Sequence, residues 1–218
     1  MAETCLNVGS GLSWGRSWLN VDASPSLRIA RWPLVGRLIA RGAGFPAWPS
    51  AVVWGDLVRG LRLGPGCCRL VFASHVLEHL SEPDAFRALT NVYRWLAPGG
   101  VLRAIVPDLE VLAGEYLAEV GAPGPRAAEA APRFLERAQL GLRETRIGLR
   151  ARARETLSNS RHQWMWDRPS LESALRRVGF RDVAWRKYGE WADERYAEVE
   201  EEGRHQDAIC AEARKPGG

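Results

Sequence analysis

A chain of 218 residues that is 46% hydrophobic and 26% charged has the make-up of a soluble globular protein, with a core large enough to need no disulfide staples. No run approaches the roughly 18 apolar residues of a membrane span, and "MAETCLNVGSG" lacks the basic region and apolar stretch of a secretory signal, so a cytoplasmic protein is expected. The net charge of +4 is almost wholly arginine, with Lys187 and Lys215 the only lysines, and is too mild to imply a nucleic-acid partner.

In chain order, "TCLNV" reads as a first strand and ends in the glycines of "GSG". Glycines after a first strand let the backbone approach a ligand that a side chain would block. "WLNVD" follows after a few residues and ends in Asp22, where a carboxylate either grips a ribose diol or simply starts a turn. Residues 24–50 are irregular, with four prolines, two tryptophans and four arginines. Trp32, Leu34, Val35, Leu38 and Ile39 alternate there with Arg31, Arg37 and Arg41, an amphipathic element rather than a linker. We expect a lid over the cleft; a fixed packing element and an anionic membrane contact are the other readings.

"AVVWGD", "CRLVFASH" and "GGVLRAIVPD" are further short apolar runs ending in Gly, Asp or Ser. Strands with such ends, separated by helices, predict a parallel α/β sheet. The four cysteines include no C-x-x-C pair, and adjacent Cys67 and Cys68 suit a disulfide poorly, so free thiols and no structural zinc are expected.

"SHVLEHL" holds His75, Glu78 and His79 in the order H-x-x-E-H, a zinc-peptidase signature. That chemistry needs both histidines on one helix. A strand precedes His75, however, and Ser81 and Pro83 mark a new helix start. No third ligand is evident, so no metal is expected, and the stretch reads as a strand end followed by a helix start.

Ser81 and Asp84 form a candidate capping box, and the helix that follows puts Phe86, Leu89, Val92, Tyr93 and Leu96 on one face before "APGG" stops it. A long helical pattern covers about residues 126–157, and "RPSLESALRRVGF" is a helix closed by Gly179. Between them "SNSRHQWMWDR" is a loop carrying His162, Trp164 and Trp166. "FRDVAWRKY" and "DAICAEARK" are the last strands.

Together, "LNVGSG", "WLNVD", "VVWGDL", "VFASHVLEHL", "LAPGGVLRAIVPDL" and "DRPSLESALRRVGFRDV" resemble class I S-adenosylmethionine-dependent methyltransferases, especially the branch with "SHVLEHL" and "HxWMxD". The resemblance implies one domain over residues 1–218, with helical insertion at about 124–165. It also implies a Rossmann-like sheet of seven strands, mostly parallel, with helices on both faces and the last strand antiparallel. S-adenosyl-L-methionine is the implied cofactor. Gly9, Ser10 and Gly11 match the loop under its methionine part, Asp22 the ribose ligand, and Asp56 and Leu57 the pair beside adenine. Ser74 and His75 match the strand end bordering cofactor and acceptor, and Pro107 and Asp108 the acceptor side.

Three places depart from the family pattern. Gly11 and Trp18 are too close for the usual first helix, Asn7 stands where an acid is common, and Arg69 stands where strand four usually opens with Asp. Residues 24–50 are expected to supply the cover that a missing first helix cannot. The nucleobase amino-methyltransferase motif is absent, since the matching residues are Ser74, His75, Val76 and Leu77. A small-molecule or sugar acceptor methylated at oxygen is therefore expected. An RNA methyltransferase and a non-catalytic cofactor-binding subunit are the alternatives. His75, His162 and Asp108 are the candidate bases for an oxygen acceptor. His162 could equally cap a helix, and Trp164 and Trp166 either stack on the acceptor or plug a loop.

Overall fold

The computed structural model describes residues 4–141 and 161–217. The strands are β1 (Thr4–Val8), β2 (Trp18–Asp22), β3 (Val52–Trp54), β4 (Cys68–Ser74), β5 (Leu96–Pro107), β6 (Arg181–Arg186) and β7 (Ala208–Arg214). They form one seven-stranded sheet in the order β3-β2-β1-β4-β5-β7-β6. Strands β1 to β5 pair in parallel, while β7 runs antiparallel to both of its neighbours. The expected topology is the observed one. The chain reverses its order of strands between β1 and β4, which opens a crevice at their C-terminal ends.

The helices are α1 (Pro25–Ala30), α2 (Gly36–Gly42), α3 (Glu82–Trp95), α4 (Leu109–Val120), α5 (Pro125–Arg137) and α6 (Arg168–Val178). Period-two alternation along β4 divides the core. Val71 and Ala73 join Leu89, Val92, Trp95, Leu171 and Leu175 on the face covered by α3 and α6. Leu70 and Phe72 face the other way, onto Trp18, Ile105 and Tyr196. That second layer is built around Tyr196, whose hydroxyl donates to the Val101 carbonyl at 3.0 Å.

Two local expectations need correction. Ser81 caps α3 by accepting from the Asp84 amide at 3.4 Å, but the return bond of a capping box is not made. Asp is one methylene shorter than Glu, and its carboxylate is taken by the Ser81 hydroxyl and Arg87 instead. The reciprocal box occurs at α6, between Asp167 and Ser170. The pattern read as one helix over 126–157 stops at Arg137: Gln139 turns left-handed (φ 53), and the Leu140 and Gly141 amides donate back to the Leu135 carbonyl. The remainder of that pattern lies outside the described residues. All four cysteines are free thiols. No helix among the described residues is long and apolar enough to cross a membrane.

Candidate functional site

A cleft of about 350 Å³ lies at the C-terminal ends of β1 to β4. Val8 and Gly9 come from β1, Val21 to Ser24 from β2, Gly55 to Val58 from β3, and His75, Val76, His79 and Leu80 from β4. Gln139, just past α5, closes one side. This is the size and mixed character of a small-molecule site.

Gly9 is required by geometry. Its φ of 62 lies in the left-handed region, and a Cβ there would stand 2.3 Å from Val76 Cγ2. Asp22 is buried, and its two oxygens accept from the Gly11 amide at 2.9 Å and the Ser24 amide at 2.7 Å. Those bonds fix the carboxylate and leave each oxygen a second lone pair for a ligand hydroxyl. Asp56 makes a similar turn after β3, accepting from the Val58 and Arg59 amides at 2.9 and 3.0 Å. Leu57 beside it lines the cleft.

Ser10, Gly11 and Ser74 do not line the main cleft. Ser10 and Ser74 border a space of about 20 Å³ next to Gly9, closed by Val199, Glu201 and Arg204. Both hydroxyls are buried without a hydrogen-bond partner. The missing first helix is replaced by a turn pinned from below. The Asn7 amide donates to Asn20 Oδ1 at 3.1 Å, and Asn20 holds both the amide and the carbonyl of Gly15. Asn7 therefore serves a neutral buried pair, where an acid would stand without a counter-charge. From above, Ser13 donates to Glu201, Ser17 to Glu198, and the Trp18 indole to the Arg195 carbonyl. Cover over the glycine turn thus comes from residues 195–204. The expectation gave that task to residues 24–50, of which Ser24 alone reaches the cleft.

The three candidate bases differ in what they offer. His75 leaves β4 with φ 53, and its Nε2 lies 2.9 Å from the Arg204 carbonyl while Nδ1 lies 3.1 Å from Glu78 Oε1. Burial pulls its pKa down, but the Glu78 carboxylate and the Arg204 carbonyl outweigh burial and leave it raised. His162 is 7% exposed, does not line the cleft, and has its pKa lowered by burial. It meets His79 edge to face, ring centroids 5.0 Å apart. Asp108 caps α4, accepting from the Glu110 amide at 2.9 Å, and does not line the cleft. Trp166 is buried beneath its loop, whereas Trp164 keeps 38% of its surface exposed.

Sequence reasoning missed His79, Val76 and Gln139 as cleft residues. His79 was weighed only as half of a zinc pair with His75. The two histidines are not on one helix: His75 follows the strand, and His79 ends a 3-10 turn, Leu77–His79.

Residues 6–104 match a family model described as a methyltransferase domain. The match runs from β1 into β5 and so includes the four strands whose ends build the cleft. No curated protein matches the chain in sequence. Solved structures resemble it at low identity. A SAM-dependent methyltransferase from Archaeoglobus fulgidus is 16% identical with a TM-score of 0.48, over 98% of this chain and 86% of that one. The PH0226 protein from Pyrococcus horikoshii is 14% identical with a TM-score of 0.49, over 97% and 81%. An O-methyltransferase family protein from Burkholderia thailandensis is 12% identical with a TM-score of 0.49, over 99% of this chain but 52% of its own.

Proposed function

We propose that the protein is an S-adenosylmethionine-dependent methyltransferase acting on a small-molecule or sugar acceptor, with oxygen as the methylated atom. The observation that carries this reading is the cleft at the ends of β1 to β4, built around Gly9 and Asp22, with all of its lining except Gln139 inside the residues that match a methyltransferase domain. The residues fit the cofactor. Gly9 lets the backbone approach it, Asp22 has lone pairs to spare for a ribose diol, and Asp56 with Leu57 flanks the place for adenine. The unpartnered Ser10 and Ser74 hydroxyls suit the polar methionine end.

S-adenosylmethionine supplies a methyl group activated on a sulfonium. This chain's residues then orient the acceptor for an in-line displacement and exclude water, and positioning of that kind supplies much of the rate. Ser74-His75-Val76-Leu77 lacks the Asn/Asp-Pro-Pro acceptors and the aromatic ring that exocyclic base methylation uses, so an oxygen acceptor is the reading we prefer. His75 has both nitrogens engaged, by the Arg204 carbonyl and by Glu78, and is held toward its charged form, so it does not suit the role of a free base.

Residues 24–50 divide into two parts. The α1 half is anchored: Leu27 is fully buried, and Arg31 donates to the Pro49 and Val52 carbonyls. The α2 half exposes Leu34 completely and Leu38 by 70%. The lid we propose is this second half, from Trp32 to Gly42. Hydrogen exchange should show α1 protected throughout and α2 gaining protection with S-adenosylhomocysteine. Unchanged exchange in α2 would leave a fixed element.

Isothermal calorimetry with S-adenosylhomocysteine tests the function. Binding at micromolar Kd, near −8 kcal/mol, is expected. No binding would overturn the methyltransferase reading.

A further inference from the structure

Two groups of metal-ligating side chains, each with two buried members, lie among the described residues: Glu200, His205 and Cys210, and Glu78, His79 and His162. The first is satisfied by the protein. Glu200 accepts from Arg103 at 2.6 Å, from His205 at 2.9 Å and from the Trp191 indole. The second is only partly satisfied. The Glu78 side chain has no exposed surface; Oε1 has an ionic contact with His75 Nδ1 at 3.1 Å, poorly aligned as a hydrogen bond, and Oε2 has no partner. His162 is 93% buried, and its Nδ1 also lacks a partner. A buried carboxylate and an imidazole lone pair facing each other with no donor between them are costly unless something cationic joins them.

We propose that Glu78, His79 and His162 bind one divalent transition-metal ion of the zinc type. One ligand atom from each residue lies within 4.8 Å of the others. Tetrahedral bonds of about 2.0–2.2 Å would draw those atoms to within about 3.3–3.6 Å of one another, a change within the reach of side-chain rotation. Two imidazoles and a carboxylate are a donor set suited to zinc and its neighbours.

The surroundings match as well. A metal-bound histidine usually gives its other ring N–H to a carbonyl, which fixes the ring. His79 Nδ1 lies 3.2 Å from the Arg161 carbonyl, leaving Nε2 for the metal. His162 bonds the Ala138 carbonyl, leaving Nδ1. The two segments are also fastened together by backbone. The Gln163 and Trp164 amides donate to the Glu78 carbonyl at 2.7 and 3.2 Å, and the Gln163 side chain donates to the His79 carbonyl at 2.7 Å.

Three protein ligands leave a fourth position, as in catalytic zinc sites, and His79 puts it at the cleft wall. A hydroxyl oxygen of the acceptor taking that position would lose its proton to water more easily. This last role, unlike the metal site itself, rests on the function proposed above.

The test uses tag-free protein stripped with chelator and titrated with Zn²⁺ alone, then with Co²⁺ to read coordination in the visible spectrum. One Zn²⁺ per chain at submicromolar Kd is expected, with tetrahedral-type cobalt bands. Glu78→Gln, His79→Gln and His162→Ala should each weaken binding by about tenfold or more, since each removes one of three ligands. His205→Ala, from the satisfied group, should leave it unchanged. His79→Gln is the variant least exposed to folding failure, because His79 is only partly buried. No binding at 100-fold excess Zn²⁺, or binding that survives all three substitutions, overturns the site. No S-adenosylhomocysteine is present in this titration, so its outcome is independent of the cofactor measurement.

Discussion

Glu200 and Glu78 are both buried carboxylates, and the fold treats them in opposite ways. Around Glu200 donors converge: Arg103 bridges it to Glu212, and the Lys187 and Glu190 carbonyls take two more of the guanidinium N–H groups. Glu212 also receives the Ala192 amide and Arg186. Every member is paired, and the network ties β5 and β7 to the segment that covers the glycine turn. Around Glu78 the neighbours are two histidines and an ion pair without good hydrogen-bond geometry. Burial of charge for architecture comes with its donors, whereas the group left short of donors sits beside His79, which lines the cleft. The contrast separates a structural cluster from a ligand-seeking one.

The largest effect expected is at the structural cluster. Arg103→Met removes the guanidinium that two buried carboxylates share and should destabilise the protein by about 3–5 kcal/mol. Urea denaturation reads this directly. A loss under ~1 kcal/mol would mean that the network is not a structural keystone and would dissolve the contrast.

Asp22 stands between the two cases, since backbone amides fix it and lone pairs remain. Asp22→Ala should weaken S-adenosylhomocysteine binding by roughly 1.5–3 kcal/mol through lost charge-assisted hydrogen bonds. Calorimetry on the folded variant measures it. Unchanged affinity would assign Asp22 to the turn alone, as a purely structural carboxylate.

Much of this was legible in the sequence because it is local. Strands such as "CRLVFAS" announce themselves by apolar runs with polar ends, and the glycine turn and Asp22 fall where β1 and β2 stop. Helix α4 was not read: its cap Asp108 was taken as a site carboxylate, and Gly114 interrupts its pattern. The end of α5 was missed because Gln139, not glycine, takes the left-handed position. What depends on distant pairing was invisible. Nothing local links Ser13 to Glu201, or His79 to His162, and an arginine inside "GGVLRAIVPD" gives no sign that two glutamates about a hundred residues later will neutralise it.

A smaller effect is expected at the capping box of α6, which belongs to neither cluster. Asp167 accepts from the Ser170 amide at 2.8 Å, and its own amide donates to the Ser170 hydroxyl at 3.1 Å. Asp167→Ala should cost about 1 kcal/mol. The Ser170 hydroxyl and amide hold the Asp167 pKa below its ordinary 3.8, so the folded state binds its proton later than the unfolded state does. The cap's contribution is complete above that ordinary value and is lost as pH falls through the folded pKa. The gap between parent and variant should therefore be widest near neutrality and close in acid. A gap independent of pH would show that the carboxylate's charge is irrelevant to the cap.

The smallest effect is expected from the most deeply buried acid. Glu78→Gln keeps the shape and removes a charge that no well-aligned donor stabilises. The new amide N–H can donate to His162 Nδ1, and His75, whose side chain is 22% exposed, can release its proton and accept in turn. Without metal, the stability change should stay within about 1 kcal/mol, because loss of the charge offsets loss of the His75 contact. Arg103→Met and Glu78→Gln thus remove charges of equal burial with very different consequences. A loss near 3 kcal/mol from Glu78→Gln would make Glu78 a structural acid like Glu200. An unchanged stability together with lost zinc affinity would mean that this carboxylate is kept for what it binds.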